Sequence, residues 1–350
     1  MSTIILTGGG TAGHVVPNIA LLPELKKHFN KIVYIGSASG IEARLLKQHK
    51  EIEFHSVETV KFARKKVFKN LLIPFKLLKG RQQAKKLLAA LSPTVVFSKG
   101  GFVSVPVVLA ARALGIPVVS HESDLTLGLA NKITKNKAKV ICTSFAKTAE
   151  QLKNGLYTGS PVRQEIFSGT RVNGLKEFGL SSQLPVVLVL GGSLGSSAIN
   201  NTITACLPKL LSKCQILHSC GSGNIKHSIK HTHYKAVEYI DNMADALAVA
   251  DIVITRGGSN AIFEILALKK PMLIIPLPKG NSRGDQVENA KVFQQKGWAR
   301  VIQQADLNKQ NLLSEIELLL KTKAETTKKL SNIKLPNSNM KIVETILKHC

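Results

Sequence analysis

Three glycine-rich turns in the sequence have the residue types and the position that suit the binding of a phosphate group. They are Gly8–Gly13, Gly191–Gly195 and Gly257–Ser259, and each follows a short run of aliphatic and β-branched residues. Glycine permits a tight turn and, having no side chain, lets backbone N–H groups and a helix N-terminus approach an anion. Because both halves of the chain contain such turns, the sequence predicts a protein that holds phosphates from two sides.

The first turn also fits the dinucleotide fingerprint Gly8-x-Gly10-x-x-Gly13. In NAD-dependent enzymes, an acidic residue at the end of the next strand, about 20 residues on, holds the ribose. The corresponding strand here ends at Gly36-Ser37 without an acid, which argues against NAD. His14 follows the turn, and a helix N-terminus favours a neutral imidazole that can act as a base. A helix cap or a packing residue is the alternative for His14.

The segments that must position these turns alternate between strand-like and helix-like patterns, which is typical of parallel sheets covered by helices. In the first half we predict strands near 3–7, 32–35, 94–97, 117–120 and 139–142, and helices near 15–29, 40–48, 82–91 and 103–114. In the second half we predict strands near 186–190, 215–218, 236–238, 252–254 and 272–275, and helices near 197–211, 243–249, 259–268, 285–296 and 309–321. The predicted fold class is α/β, with two Rossmann-like, doubly wound parallel-sheet domains facing a cleft.

The predicted domain boundary lies where Gly, Ser and Pro cluster after Gly159 and periodicity fades until about Leu184. We therefore expect an N-terminal domain at 1–162, a C-terminal domain at 163–335 and a terminal helix at 336–350, for which a return to the first domain is one option. The sequence shows neither a membrane-spanning apolar run nor a signal peptide, so we expect a cytoplasmic protein. The five cysteines form no CxxC pair and are expected to be reduced packing residues.

The charge of the chain is strongly positive, with a formal net charge of +26, and it is uneven. Ten Lys and Arg residues and no acidic residue lie between Lys61 and Lys86. Apolar residues recur among them at helical spacing, and Pro74 is expected to kink or divide the segment. Such a segment suits an anionic membrane surface, where each basic residue contributes about 1 kcal/mol. The expected membrane contacts are Phe68, Leu71, Leu72, Phe75, Lys65, Lys66 and Lys69.

Two alternatives to membrane binding exist for the basic segment. It could be an ordinary helix that packs its apolar face into the core, with a solvated basic back. A nucleic-acid-binding protein would also be basic, since a pI near 10 is typical of that class. No nucleic-acid motif is present, however, and aromatic residues make up only 5% of the chain, too few for a stacking platform. We therefore expect no nucleic-acid partner.

Six short motifs occur in the order in which one enzyme family has them. They are Gly8–His14, Ser98–Ser104, His121–Asp124, Gly191–Gly195, Arg256–Ser259 and Gly284–Asn289. From about Ile4 to Trp298 the chain resembles the MurG family, bacterial peptidoglycan glycosyltransferases with the GT-B architecture. The resemblance implies an inverting enzyme that moves N-acetylglucosamine from UDP-N-acetylglucosamine to the 4-hydroxyl of lipid I, an undecaprenyl-pyrophosphoryl-N-acetylmuramoyl-pentapeptide, to give lipid II. Another GT-B enzyme that uses a UDP-sugar, an epimerase or a glycolipid synthase, is the alternative.

The resemblance also implies which residues bind the UDP-sugar. Glu264 would accept hydrogen bonds from the ribose diol, because a carboxylate offers two oxygens to two adjacent hydroxyls. A helix-surface charge is the alternative for Glu264. Ile240 would present its backbone to the uracil, and a side chain in the core is equally compatible with that position.

Ser193 would contact the diphosphate. Arg163 would supply a positive charge near the domain junction, with a linker salt bridge as the alternative. Gln286 and Asn289 lie three apart on one face of a helix and would contact the sugar hydroxyls, with helix capping as the alternative. The further residues implied to bind the donor are Thr11, Ala12, Gly13, Asp124, Ser259, Asn260, Ala261, Ile262 and Phe263.

On the acceptor side, the resemblance implies that the lipid diphosphate meets a second glycine turn. The residues implied are Gly10, Gly100, Gly101 and Ser104. His14 would be the general base, and Glu122 a second candidate or an orienter of the acceptor. The chain has Ser123 and Asp124 where the family commonly has Gln and Asn.

The departing UDP is expected to be stabilised without a metal ion or another cofactor. The Asp-x-Asp motif of metal-dependent glycosyltransferases is absent from the sequence. Helix N-termini at Ser193 and Ser259 offer fixed positive dipoles instead. The polyprenyl acceptor gives the basic segment a role, so we expect a peripheral protein on the cytoplasmic face of the inner membrane. A cell-wall synthesis complex is a further partner to test.

Overall fold

The structure is a computed structural model that describes residues 2–60, 73–192, 194–226, 228–280 and 283–350. The chain divides into two compact units, Met1–Arg163 with Pro336–Cys350, and Gln164–Leu335. The described residues of each unit form one parallel β-sheet with helices along the chain between its strands. The predicted α/β class, with two Rossmann-like domains, is confirmed.

The sheet of the first unit has the strand order β3-β2-β1-β4-β5-β6-β7. Its strands are β1 (Thr3–Thr7), β2 (Lys31–Gly36), β3 (Glu53–Ser56), β4 (Val95–Ser98), β5 (Val118–Glu122), β6 (Val140–Thr143) and β7 (Gly155–Tyr157). Its helices, apart from one at the C-terminus, are α1 (Val16–Leu25), α2 (Ile41–Leu45), α3 (Ile73–Leu91), α4 (Ser104–Ala113), α5 (Leu129–Thr134) and α6 (Ala146–Glu150). In β1, Ile4 and Leu6 pack into one apolar cluster and Ile5 into another, so both faces of the sheet are buried.

The second unit repeats this topology, with the order β10-β9-β8-β11-β12-β13. Its strands are β8 (Val186–Leu190), β9 (Gln215–Ser219), β10 (Tyr234–Val237), β11 (Ile252–Thr255), β12 (Met272–Ile274) and β13 (Arg300–Val301). Its helices are α7 (Arg171–Phe178), α8 (Ser197–Leu210), α9 (Met243–Val249), α10 (Ser259–Ala267), α11 (Asp285–Gln295), α12 (Lys309–Lys321) and α13 (Lys323–Ser331). In both sheets the strand order reverses beside the first strand, which is where open α/β sheets bind ligands.

The last helix, α14 (Ser338–Leu347), belongs to the first unit. Its Ile342, Val343 and Ile346 join the apolar cluster on one face of the first sheet. The Asn339 side chain donates to the carbonyls of Val162 and Ala20 at 2.8 and 3.1 Å, which ties α14 to the end of the first unit and to α1. In the described parts of the chain, no helix has the length and apolarity needed to span a membrane.

Candidate active site

The first glycine turn, Gly8–Gly10, follows β1 and is held by buried polar groups. The Tyr34 hydroxyl donates to the Gly8 carbonyl at 2.7 Å, and the Asn18 amide donates to Tyr34 at 3.1 Å. Gly10 has a φ of +84°, a conformation that favours glycine. Its N–H donates to the carboxylate of Glu42 at 3.2 Å. The predicted phosphate contact of this amide would therefore have to displace an internal carboxylate.

The second glycine turn, Gly100–Gly101, follows β4 and contacts the first turn directly. A Cβ built on Gly101 would lie 2.2 Å from the carbonyl oxygen of Gly9, and the Phe102 ring packs against Gly10. Ser104 begins α4 and donates its hydroxyl to the Gly101 carbonyl at 2.9 Å. The structure thus brings the four residues predicted for the acceptor diphosphate into one place at the switch point of the first sheet.

His14 ends a short 3₁₀ turn, Ala12–His14, just before α1 begins at Val16. Its side chain is half-buried, and Nδ1 lies 2.9 Å from the Thr11 hydroxyl. The tautomer with its proton on Nδ1 donates to Thr11 and carries the lone pair on Nε2, which is the form that a general base needs. The geometry is compatible with the role predicted for His14, which stays a prediction.

Glu122, at the end of β5, is buried and holds its own loop together. One carboxylate oxygen accepts from the Asp124 amide at 3.1 Å. The other accepts from the Gly128 amide at 2.8 Å and from the Asn131 side chain at 2.9 Å. Of the two roles predicted for Glu122, these bonds favour the orienter, because both carboxylate oxygens are engaged by donors of the loop that Glu122 holds.

His121, beside Glu122, points into the fold. It is completely buried, and its Nε2 lies 3.1 Å from the Gly159 carbonyl. Burial lowers the pKa of the imidazole well below its usual value, and the charge of Lys99 lowers that pKa further. His121 is therefore a neutral residue that joins β5 to the end of the first unit.

Lys99 is a buried charge that our reading of the sequence missed. It is 2% exposed, and its Nζ lies 2.6 Å from the Ser123 hydroxyl. Burial lowers the pKa of the ammonium to about 8, although the charges of Glu122 and Asp124 attract the proton. Its Cβ also lies beneath the first turn, since a Cβ on Gly8 would be 3.0 Å away. The motif at 98–104 pointed only to glycines and a serine, because lysine is rarely found in a core.

In the second unit, an arginine links the ends of β11 and β12 to the N-cap of α8 at the predicted diphosphate site. Arg256 donates to the Ser196 hydroxyl at 2.6 Å and to the Ile275 carbonyl at 3.0 Å. Ser196 is also the N-cap of α8, and its hydroxyl accepts from the Ile199 amide at 3.3 Å. The guanidinium therefore lies beside the N-terminus of α8, where a phosphate would meet both. Ser193, the residue predicted to contact the diphosphate, lies outside the described residues.

The residues predicted on α10 divide between a buried and a partly exposed set. Ser259, Ile262 and Phe263 are buried, and the Phe263 ring packs edge-on against Phe293 at 5.1 Å. Asn260 and Ala261 are partly exposed. Glu264 is 7% exposed, so its carboxylate lies in the fold and is not the surface charge that was the alternative.

Ile240 and Arg163, also predicted to bind the donor, lie in different surroundings. Ile240 follows β10 with its side chain 2% exposed, so only its backbone can serve a ligand, as predicted for the uracil contact. Arg163 is half-buried and is the last residue of the N-terminal segment of the first unit.

Gln286 and Asn289, both predicted to bind sugar hydroxyls, hold neighbouring loops in this structure, and their sugar contacts stay predictions. Asn289 is completely buried, and its amide donates to the Gly257 carbonyl at 3.1 Å. Gln286, one helical turn earlier, is half-buried and accepts from the Leu277 amide at 3.0 Å. The spacing put both residues on one face of α11 as expected, but that face packs on the loop after β11.

The basic segment is described only from Ile73 onwards. Phe68, Leu71, Leu72, Lys65, Lys66 and Lys69 lie outside the described residues. Helix α3 buries Gly80, Ala84 and Leu88, one helical turn apart. Its outer surface exposes Phe75 by 73% and Leu78 by 52%, so Phe75 does not pack into the core. Pro74 lies within α3, which begins at Ile73, nine residues before the helix predicted from residue 82.

Two domain families match the chain. Residues 4–143 match the Glycosyltransferase family 28 N-terminal domain, and residues 186–345 match the Glycosyltransferase family 28 C-terminal domain. With the two Rossmann-like sheets and their glycine turns, these matches define the class as the two-domain glycosyltransferases with the GT-B architecture.

Named relatives of this chain identify one family within that class. A protein of Clostridium kluyveri is 43% identical over the full length of both chains, and one of Lachnospira eligens is 47% identical over 91% of each. Both are named UDP-N-acetylglucosamine--N-acetylmuramyl-(pentapeptide) pyrophosphoryl-undecaprenol N-acetylglucosamine transferase. The crystal structure of Acinetobacter baumannii MurG is similar with a TM-score of 0.79, at 26% identity over 99% of this chain and 100% of that one. The chain belongs to the MurG family of glycosyltransferase family 28.

Proposed function

We propose that the protein transfers N-acetylglucosamine from UDP-N-acetylglucosamine to the 4-hydroxyl of lipid I and so forms lipid II. The single observation that carries this proposal is the full-length identity of 43% to a transferase named for this donor and this acceptor. The structure supports it with two glycine turns in contact in the first unit and with the partly buried Arg256 and the buried Glu264 in the second.

For the donor, we propose that the second unit binds UDP. Glu264 would accept hydrogen bonds from the ribose diol, and the backbone at Ile240 would bind the uracil. The N-termini of α8 and α10, together with Arg256, would stabilise the diphosphate as it gains charge on leaving. Ser193, Arg163, Gln286 and Asn289 remain donor contacts in this proposal, and Asn289 also supports the loop at Gly257.

For the acceptor, we propose that the turn Gly100–Ser104 receives the lipid diphosphate. His14 would remove the proton of the 4-hydroxyl as that oxygen attacks the anomeric carbon from the side opposite UDP. Glu122 would hold the loop that carries Ser123 and Asp124, with Asp124 near the sugar. No step of this mechanism needs a divalent ion, so we expect turnover to survive exhaustive chelation.

We further propose that the protein works as a peripheral protein on the cytoplasmic face of the inner membrane, where lipid I would be reached. The exposed Phe75 and Leu78 lie on a helix that also exposes basic side chains, namely Lys76, Lys79, Arg81, Lys85 and Lys86. Apolar side chains would enter the interface, and the lysines and arginines would meet anionic headgroups. A cell-wall synthesis complex is a further partner that this position would permit.

Transfer of labelled N-acetylglucosamine to a lipid I analogue tests the proposal, with the His14→Ala variant beside the wild type. We expect the variant to lose about 10²–10⁴-fold in kcat, the usual contribution of a general base, while UDP binding measured by calorimetry is retained. A variant with wild-type kcat would remove His14 from the mechanism. Consumption of the donor without any acceptor would favour an epimerase instead.

A further inference from the structure

Glu42, on the short helix α2, places a completely buried carboxylate beneath the first glycine turn. One oxygen accepts from the Ser37 amide at 2.9 Å and from the Ser37 hydroxyl at 2.7 Å. The other accepts from the Gly10 amide at 3.2 Å. All three donors are neutral, so the charge is stabilised by dipoles. Such an arrangement is costly to bury and is maintained by its hydrogen bonds.

Three glycines leave the space that this carboxylate fills. A Cβ on Gly9 would lie 2.6 Å from a carboxylate oxygen of Glu42, and one on Gly40 would lie 2.1 Å from the other oxygen. A Cβ on Gly36 would lie 2.8 Å from the Cγ of Glu42. The backbone of the first turn and of the loop after β2 is therefore built around Glu42. In a dinucleotide-binding turn, a phosphate of the ligand would take the amide that Glu42 takes here.

We propose that Glu42 is a positioning residue of the transfer reaction, an internal anion that fixes the turn Gly8–Gly10 and with it Thr11 and His14. This inference rests on the proposed function, because the value of a fixed turn lies in the proton transfer assigned to His14. Only Thr11 separates Gly10 from the 3₁₀ turn Ala12–His14, and the Thr11 hydroxyl contacts the His14 ring across that turn. A carboxylate at the Gly10 amide also repels a phosphate from this turn, which leaves the turn Gly100–Ser104 for the acceptor diphosphate.

Hydrogen–deuterium exchange tests the structural half of this inference without any substrate. In Glu42→Gln, one of the three donors loses its acceptor, because an amide nitrogen cannot accept. We expect the peptide covering 7–15 to exchange about tenfold faster than in wild type. The control variant Glu24→Gln removes a partly exposed carboxylate of α1 that pairs with Lys27, and it should leave this peptide unchanged. Unchanged exchange in Glu42→Gln would overturn the inference.

Kinetics test the functional half. We expect Glu42→Gln to lower kcat by about ten- to a hundredfold, the effect of a small misplacement of a catalytic group, with the donor KM within about twofold of wild type. Ser37→Ala, which removes only the hydroxyl donor, should show a smaller loss, and Glu24→Gln none. A loss of kcat together with a raised donor KM and faster exchange throughout the second unit would mean general destabilisation and would overturn the positioning role.

The exchange and kinetic measurements together also distinguish a failure of this inference from a failure of the proposed function. If the wild type transfers no sugar to lipid I, the proposed function fails, and the exchange measurement still decides whether Glu42 fixes the turn. If the wild type transfers sugar and Glu42→Gln does so at the same rate, the function stands and the role of Glu42 is wrong.

Discussion

Lys99 is a buried residue of the candidate site that its local sequence motif did not indicate. The glycine turns, His14 and Glu122 were predicted as site residues, since they lie in short motifs that can be recognised locally in the sequence. Lys99, Glu42 and Asn131 were not predicted as site residues, because their roles depend on contacts with distant segments. The Lys99–Ser123 bond joins residues 24 apart, and the Gly10–Glu42 bond joins residues 32 apart. A local sequence pattern does not indicate contacts between residues so far apart in the chain.

A Lys99→Met variant is expected to be more stable and less active than wild type at pH 7. Burial depresses the pKa of the folded-state ammonium to about 8 from 10.5, which corresponds to about 3 kcal/mol of destabilisation when the group is charged. The unfolded chain binds more protons between these two values, so wild-type stability rises with pH across that window. Transfer should fall because the second glycine turn loses its buried charge.

Thermal unfolding of both proteins at pH 7 and pH 10, with transfer rates at pH 7, checks this prediction. The stability advantage of Lys99→Met should be largest at pH 7 and should shrink towards pH 10. Lys132→Met, a change on the surface of α5, serves as the control. A variant that is less stable at pH 7 yet as active as wild type would contradict the account of Lys99.

A Glu264→Ala variant is expected to raise the KM for UDP-N-acetylglucosamine about ten- to a hundredfold with little change in kcat. The reason is that hydrogen bonds to a charged acceptor contribute about 1.5–3 kcal/mol, here in ground and transition states alike. Steady-state kinetics with saturating acceptor measure this KM. Glu288→Ala, an exposed carboxylate of α11 paired with Lys291 at 3.0 Å, is the matched control. An unchanged KM would place the ribose elsewhere.

Among the elements, long and strongly patterned segments were predicted well and short ones were not. The predicted β8 and α9 agree with the structure to the residue, and α12 does too. The strands β3, β7 and β13 were not predicted. They are two to four residues long and partly exposed, so they lack the buried apolar run of the central strands. Helix α7 falls inside the predicted linker, because Gly174 and its polar neighbours hide the periodicity.

Asp251, before β11, links elements that are distant in the chain. Its carboxylate accepts from the Val186 amide of β8 at 2.8 Å, from Lys323 of α13 at 2.7 Å and from Arg171 of α7 at 3.4 Å. Burial opposes ionisation, but the bonds from Lys323 and Val186 and the charge of Arg171 hold the pKa of this carboxyl below its usual value. The stability it contributes is present above the unfolded-state pKa and is lost as pH falls through the folded-state pKa.

An Asp251→Asn variant should therefore lose about 2 kcal/mol of unfolding free energy at pH 7. The difference from wild type should disappear in strong acid, where the wild-type carboxyl is protonated. Urea unfolding at neutral and acid pH measures both values. Asp306→Asn, an exposed residue, is the control and should match wild type. Equal stability of Asp251→Asn and wild type at pH 7 would show that the three bonds contribute nothing net.

At the scale of the whole molecule, charge and exposed apolar groups coincide in one segment. The net charge of +26 is concentrated in residues 1–160, which hold 24 Lys and Arg against 8 Asp and Glu. The sequence predicted an amphipathic basic helix, and the described part of α3 exposes Phe75 and Leu78 beside its basic residues. Phe75 was among the expected membrane contacts, whereas the exposure of Leu78 was not predicted, since it depends on how Gly80 lets α3 approach the Glu58 carbonyl.

Vesicle pelleting tests the membrane proposal. With vesicles rich in anionic lipid, Phe75→Ser with Leu78→Ser should lower binding about tenfold or more, because burial of a large apolar side chain contributes about 1.5–3 kcal/mol. Val172→Ser, which changes an apolar residue of the second unit that is 75% exposed, is the control. Charge reversal at Lys65, Lys66 and Lys69 should also weaken binding, and salt should reduce it. Undiminished binding by the double serine variant would refute a contact through α3.

The measurement that tests the central claim most directly is acceptor-dependent sugar transfer by the unmodified protein. Purified protein is incubated with labelled UDP-N-acetylglucosamine, with and without a lipid I analogue, and both UDP release and the lipid product are followed. We predict UDP release that requires the analogue and a product bearing one added N-acetylglucosamine at the 4-hydroxyl. Donor turnover that is the same without the analogue, or no lipid product when the donor is shown to bind, would contradict the account.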